Sequence, residues 1–163
     1  MRITPSALTL LLLCNACVSR KTSSARLAEV AKDVQSFTRS VADNVTQQGP
    51  SAWQRYFENS PSFFMAVDGR IQFPDGASAQ AAIPSLARTI KRIELQWGDS
   101  LRVDPLTQEL AVVAVPWHET LAFSNGSRQD SSGYFTAVAE RRDGRWQFRN
   151  AHWSTVPPPG ASK

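Results

Sequence analysis

The stretch that most constrains this chain is GYFTAVAERRDGRWQFRNAHWST, from Gly133 to Thr155. Two runs rich in β-branched and aromatic residues flank Asp143-Gly144, and Asp-Gly between such runs is a strong signal for a two-residue hairpin turn. Such a turn needs φ > 0 at both central residues, which Gly adopts freely and Asp better than most. If these two residues form the whole turn, Arg142 lies opposite Arg145. The register then sets Arg141 opposite Trp146, Ala139 opposite Phe148, Ala137 opposite Asn150 and Phe135 opposite His152. Side chains alternate across a sheet, so these pairs share one face. That face is apolar except for Asn150 and His152 near its far end, and it reads as the wall of a pocket. The other face carries Glu140 with Gln147, Val138 with Arg149, and Tyr134 with Trp153.

The rest of the chain supplies what such a hairpin can close over. From Ala25 to Gln48 the apolar residues Leu27, Val30, Val34, Phe37, Val41 and Val45 recur at spacings of three and four, one stripe of a helix that Gly49-Pro50 ends. A brief second helix over Ala52 to Phe57 brings Trp53, Tyr56 and Phe57 within one turn. Ser62 to Val67 and Arg70 to Phe73 read as strands about an Asp68-Gly69 turn. A third helix is expected from Ser78 to Arg92, kinked or starting late at Pro84, with Ile83, Leu86, Ile90 and Ile93 inward. Beyond it the chain is strand: Ile93 to Asp104 with Gly98 as a bulge, then Glu109 to Phe123. Pro116 interrupts that last run and implies an edge or a bulge, and Asn125-Gly126 makes a second hairpin turn. Helices followed by a meander of long strands define an α+β layout, a curved antiparallel sheet wrapped over three N-terminal helices as a cone.

With 163 residues, 42% hydrophobic and 20% charged, the chain fits one globular domain. The formal charge of +4 is scattered in pairs such as Lys91-Arg92, so it argues poorly for nucleic-acid binding. The start does not belong to the fold. Met1-Arg2 and the short apolar run Ala7 to Leu13 look like an export signal, and Ala16-Cys17 resembles the end of a lipoprotein lipobox, with Cys14 a departure from that motif. The expected organisation is a signal peptide over 1–16, a polar tether over 17–24, the domain over 25–156 and a Pro-rich disordered tail over 157–163. Lipidation of Cys17 would place the protein in the periplasm or anchor it to the outer membrane of a bacterium. Cleavage by an ordinary signal peptidase after Ala16 is the alternative.

Together these features resemble the nuclear-transport-factor-2-like (NTF2-like) superfamily, specifically its SnoaL-like and DUF4440-type members. The matching pieces are the long first helix, Trp53-x-x-Tyr56-Phe57, Phe64-x-x-Val67-Asp68-Gly69, Gly76 before the third helix, Ala111 to Trp117 and Asn125-Gly126. The most specific piece is Asp143-Gly144-Arg145-Trp146-x-Phe148 followed by His152-x-Ser154. The resemblance covers about residues 25 to 156. It implies a cone-shaped fold, often dimeric through the outer sheet face, in a group holding ketosteroid isomerase, scytalone dehydratase, polyketide cyclases, limonene epoxide hydrolase and many proteins without known activity. Fold alone therefore does not decide function.

Several residues are candidates for a site. His152, inward beside Asn150 in the register above, suits a general base because its ordinary pKa of about 6.5 needs little tuning; the plainer reading is a packing histidine bonded to a carbonyl or to Ser154. For Trp117, His118 and Glu119, strict register from the Asn125-Gly126 turn puts Pro116 and His118 inward. A one-residue bulge at Ser131-Ser132-Gly133 turns Trp117 and Glu119 inward instead. The bulge is preferred, because Val113, Val115, Trp117, Leu121 and Phe123 form the more apolar face. Glu119 is then a carboxylate on an apolar wall, its pKa raised unless a partner such as His152 is near; the alternative is a rim carboxylate in water. Trp53, Tyr56, Phe64 and Trp97 are expected to line one end of the cone, with Trp117, Phe135, Asn150 and His152 completing the ligand-binding set.

No metal-ligand spacing, nucleophile elbow or dinucleotide fingerprint occurs, so no metal and no cofactor are expected. The favoured function is binding of a small, largely apolar molecule. The alternatives are a cofactor-free isomerase, dehydratase or hydrolase with His152 as base and Glu119 or Tyr56 as partner, and a structural protein dimerising through Tyr134, Val138 and Trp153.

Overall fold

The computed structural model describes the backbone of residues 6–157 and the side chains of residues 24–157. The side chain of Cys17, and with it the lipidation reading, lies outside the described residues, as does the tail from residue 158. Among the described residues no helix is long and apolar enough to cross a membrane.

Helix α1 spans Ser6–Gln48. It begins well before the expected start at Ala25, for no Gly or Pro interrupts residues 6–48. Its buried stripe is the expected one: Val30, Val34, Val41 and Val45 are enclosed, with Thr38 among them. Two bonds tie α1 to the sheet. The Trp97 indole donates to the Thr38 carbonyl at 2.7 Å, and Thr46 Oγ1 accepts from the Leu95 N–H at 3.0 Å. A short 3-10 helix, Pro50–Arg55, follows, and it buries Ala52 and Trp53.

Strands β1 (Phe64–Val67) and β2 (Arg70–Phe73) meet at the expected Asp68-Gly69 turn, where both residues have positive φ. Helix α2 spans Gly76–Thr89 with Pro84 inside it. It starts two residues before the expected Ser78, and its N-cap is Asp75. The Ser78 N–H donates to the Asp75 carboxylate at 2.6 Å, and this bond holds the Asp75 pKa below its ordinary value. Gly76 is required there, since a Cβ would collide with the Glu58 carbonyl and the Ser60 nitrogen. The helix ends at Thr89, three residues early, because Ile90 and Ile93 pair with Phe123 and Leu121 as the first rungs of a strand.

Strands β3 (Ile90–Trp97), β4 (Arg102–Pro105), β5 (Leu110–Phe123), β6 (Arg128–Arg142) and β7 (Arg145–Thr155) complete one curved, open sheet of order β2-β1-β7-β6-β5-β3, with β4 also on β5. The sheet is mixed, not wholly antiparallel, since β1 runs parallel to β7. Pro116 sits where β3 has ended and β4 has not begun. Its carbonyl accepts from Gly98 N–H at 2.8 Å on that side, so the donor that proline lacks falls in the gap between the two strands.

Two register features decide which side chains face α1. The Asn125-Gly126 loop takes one residue more than a two-residue turn: Ala122 pairs with Arg128, Phe123 N–H bonds Ser127 O, and Gly126 adopts φ 87°. From there β5 and β6 run without a shift to Leu110 opposite Glu140. The expected inward turn of Trp117 and Glu119 is thus realised, but the extra residue lies in the loop and not at Ser131-Ser132-Gly133. The Asp143-Gly144 turn matches its expected form, with φ of 50° and 74° and Arg142 opposite Arg145. The register then shifts by one residue. Ala139 still faces Phe148, but Val138 faces Asn150, leaving Arg149 as the extra residue of a β-bulge. The Val138 N–H that the bulge strands is taken up by Asn150 Oδ1 at 3.3 Å.

Candidate functional site

The Arg149 bulge inverts the far half of β7. Ala151 and Trp153 turn inward, while Asn150 and His152 turn to the opposite face. The expectation of an inward His152 opposite Phe135 is therefore corrected: His152 pairs with Thr136 and is exposed. It shares a shallow outer groove with Phe64 and Asn150, so these three leave the set expected to line the cone. The same flip takes Trp153 out of the outer face, where it was expected beside Tyr134. A signal was present in the sequence. The apolar positions of β7 are Trp146 and Phe148, then Ala151 and Trp153, and the gap of three between Phe148 and Ala151 breaks a period of two.

Inside the curve, Trp153 becomes the centre of an aromatic cluster. Its ring lies 5.7 Å from Trp97, 5.2 Å from Trp117, 4.6 Å from Phe135 and 5.9 Å from Trp53. Phe135 is fully enclosed, and Tyr56 packs on Phe37. Tyr56, Trp97 and Phe135 therefore form the solid bottom of the cone and do not line its opening.

Above that floor lies a cleft of about 440 Å³ between the inner sheet face, the 3-10 helix and α2. Of the residues expected to line it, Trp53, Trp117 and Glu119 do so, joined by Phe57, Met65 and Trp153. Gly133 sits between Trp117 and Thr155 in the sheet, and a Cβ there would strike the Ser154 carbonyl. Its lack of a side chain lets β7 lean in over β6.

The polar groups of the cleft are few. Gln72, Gln129, Ser131 and Thr155 lie on its lining, with two carboxyl groups, Asp68 and Glu119. Among the described residues, no lysine, arginine or histidine lines it. Asp68 is occupied: its two oxygens accept from Thr155 N–H at 2.7 Å and Thr155 Oγ1 at 2.9 Å, which fastens the β1–β2 turn to the end of β7. Glu119 is half-buried opposite Ser131, and it has neither a hydrogen-bonding nor an ion-pair partner among the described residues. Burial on this wall pushes its pKa up to about 7. At neutral pH the group thus exists in both protonation states, able to give or take a proton. His118, its neighbour in sequence, is on the outer face and exposed. Among the described residues no group of three or more His, Cys, Asp or Glu side chains has a metal-binding arrangement.

No protein-family model matches the chain, and no curated protein matches it in sequence. Solved structures do match it in fold. An NTF2-like superfamily protein from Salmonella enterica serovar Typhimurium LT2 aligns over 86% of this chain and 98% of its own, at 15% identity and a TM-score of 0.64. A protein with a cystatin-like fold from Caulobacter vibrioides aligns over 78% and 90%, at 17% identity and 0.60. A type 2 hexachlorocyclohexane dehydrochlorinase aligns over 88% and 96%, at 12% identity and 0.56. At such identities the likeness is one of architecture, and the architecture of this chain is the NTF2-like, cystatin-like fold.

Proposed function

We propose that this domain binds a small, largely apolar molecule in the cleft between α2 and the inner face of the sheet. The observation that carries the reading is a cleft of about 440 Å³, walled by indole, phenyl and aliphatic groups, with one unpaired carboxyl group set into it. Both its size and its few convergent polar groups are those of ligand sites. Three tryptophans, Trp53, Trp117 and Trp153, lie on the wall, so occupancy would alter intrinsic fluorescence. Native mass spectrometry of protein purified from its source is expected to show a retained small molecule, and Trp53→Ala to weaken its retention. Protein that carries nothing, and whose fluorescence answers to no apolar compound, would refute the reading.

A second reading is favoured by Glu119. A carboxyl group with a pKa of about 7 in an apolar cleft is poised for general acid–base work, and at least one protein of this fold is an enzyme. In a cofactor-free isomerase, dehydratase or hydrolase of this kind the proton would pass through Glu119, since His152 faces away. Turnover abolished by Glu119→Gln with substrate binding kept is the expected mark of such an enzyme.

Export and attachment to the membrane through Cys17 belong to the same proposal, supported by the sequence motif. The mass of the mature N-terminus tests them, and an unmodified cysteine would end the claim. A homodimer through the outer sheet face is supported by the exposed Phe64 and Tyr134 rings.

A further inference from the structure

The chemistry of the cleft is lopsided in a way that narrows its occupant. Both ionisable groups on its lining are acids, and no basic side chain among the described residues is part of that lining. Asp68 is satisfied by Thr155, but Glu119 has no partner at all among the described residues. A carboxyl group on an apolar wall is disfavoured as an anion unless a cation stands next to it. Among the described residues, no cation lines the cleft. The cross-strand neighbours of Glu119 are Leu95 and Ser131, its neighbours along the same face of β5 are Trp117 and Leu121, and Trp153 packs edge-on against Trp117 with ring centres 5.2 Å apart. The Trp117 Nε1–H is sealed from solvent, so what this residue offers the cleft is ring carbon. Indole is the strongest aromatic partner for a cation, and indoles beside an acid are how proteins hold ammonium groups.

We propose that the cleft selects an organic cation, an apolar amine or quaternary ammonium molecule whose charged end lies against Glu119 and the indoles of Trp117 and Trp153. This rests on the reading of the cleft as a small-molecule site. The ligand's charge is the counter-ion that the wall lacks, while its apolar body covers Trp53, Met65 and Phe57. Binding a fixed cation favours ionised Glu119, so a proton leaves when the carboxyl was protonated beforehand. The other charged group on the lining, Asp68, is held by Thr155, and none faces Glu119 from β3, β6, β7 or α2, so Glu119 dominates the pH response.

The test compares benzyltrimethylammonium with its neutral carbon isostere neopentylbenzene on the folded protein, followed by tryptophan fluorescence. At about pH 8 the cation should bind at least about tenfold more tightly than the isostere, and lowering the pH to about 5 should remove most of that preference. Neither probe titrates, so the change reports the protein. Glu119→Gln should abolish the pH dependence and, at about pH 8, reduce the preference for the cation over the isostere to what the unsubstituted protein shows at about pH 5. Equal affinity for both probes at about pH 8, or a preference unmoved by Glu119→Gln, overturns the cation assignment while leaving the cleft as a site. Failure of both probes to bind overturns the cation assignment together with the site.

Discussion

Replacing Glu119 with glutamine tests the central electrostatic claim without any ligand. In the folded protein burial moves the carboxyl from the ordinary glutamate range up to about 7, whereas in the unfolded chain it titrates near 4.3. The folded state therefore holds the proton more tightly, and stability contributed by the protonated group is fully present below the unfolded pKa. It is lost as pH rises through the folded one. Each pH unit between the two values corresponds to about 1.4 kcal/mol, so the full loss, reached by about pH 8, is on the order of 4 kcal/mol. Glutamine has the same shape and no proton to lose. Urea unfolding of wild type and Glu119→Gln at several values between about pH 4 and 8 should thus show a growing advantage for the variant. The two curves should run close together at the acid end and separate by about 3–4 kcal/mol at the alkaline end. A difference that stays flat across the range would mean that the carboxyl is solvated like any rim glutamate, and the argument from burial would fall.

Phe135→Ala should cost about 3–5 kcal/mol in thermal or urea unfolding, because the ring is fully enclosed and touches Trp97, Phe148 and Trp153. Gly76→Ala should lose about 1–3 kcal/mol, since its Cβ would meet rigid backbone at Glu58 and Ser60. At Gly98 the same substitution meets the Pro116 ring at 3.1 Å and the Pro116 carbonyl oxygen at 3.5 Å, looser contacts than at Gly76, and should cost less. His152→Ala should change stability by less than about 0.5 kcal/mol and leave binding in the cleft unaltered, as expected of an exposed outer-face residue; loss of cleft binding in this variant would contradict the assigned register.

How much of this was legible in the sequence follows from the range of the forces involved. The α1 stripe, the Asp68-Gly69 turn and the Asp143-Gly144 hairpin are local: positive φ and a period of 3.6 are properties of a few neighbouring residues. The inward turn of Trp117 and Glu119 could be chosen by weighing which face of β5 is more apolar, although the residue that sets it lies in the Asn125-Gly126 loop. The fate of His152 was not local. Four residues beyond a correctly read hairpin, Arg149 drops out of the ladder, and every side chain after it changes face. The bulge forms where β7 changes partners: Phe148 bonds the backbone of Tyr56 and Glu58, and Asn150 begins the parallel pairing with Phe64.

By itself the sequence determined an α+β domain with most of its strands and turns, and it left Glu119 open between an apolar wall and a solvated rim. Only the tertiary structure decided that Trp153, and not His152, would look into the hollow, and that Glu119 would stand there without a partner. The physical reason is that a sheet's two faces differ by a single residue of register, and one bulge, set by contacts distant in sequence, exchanges them.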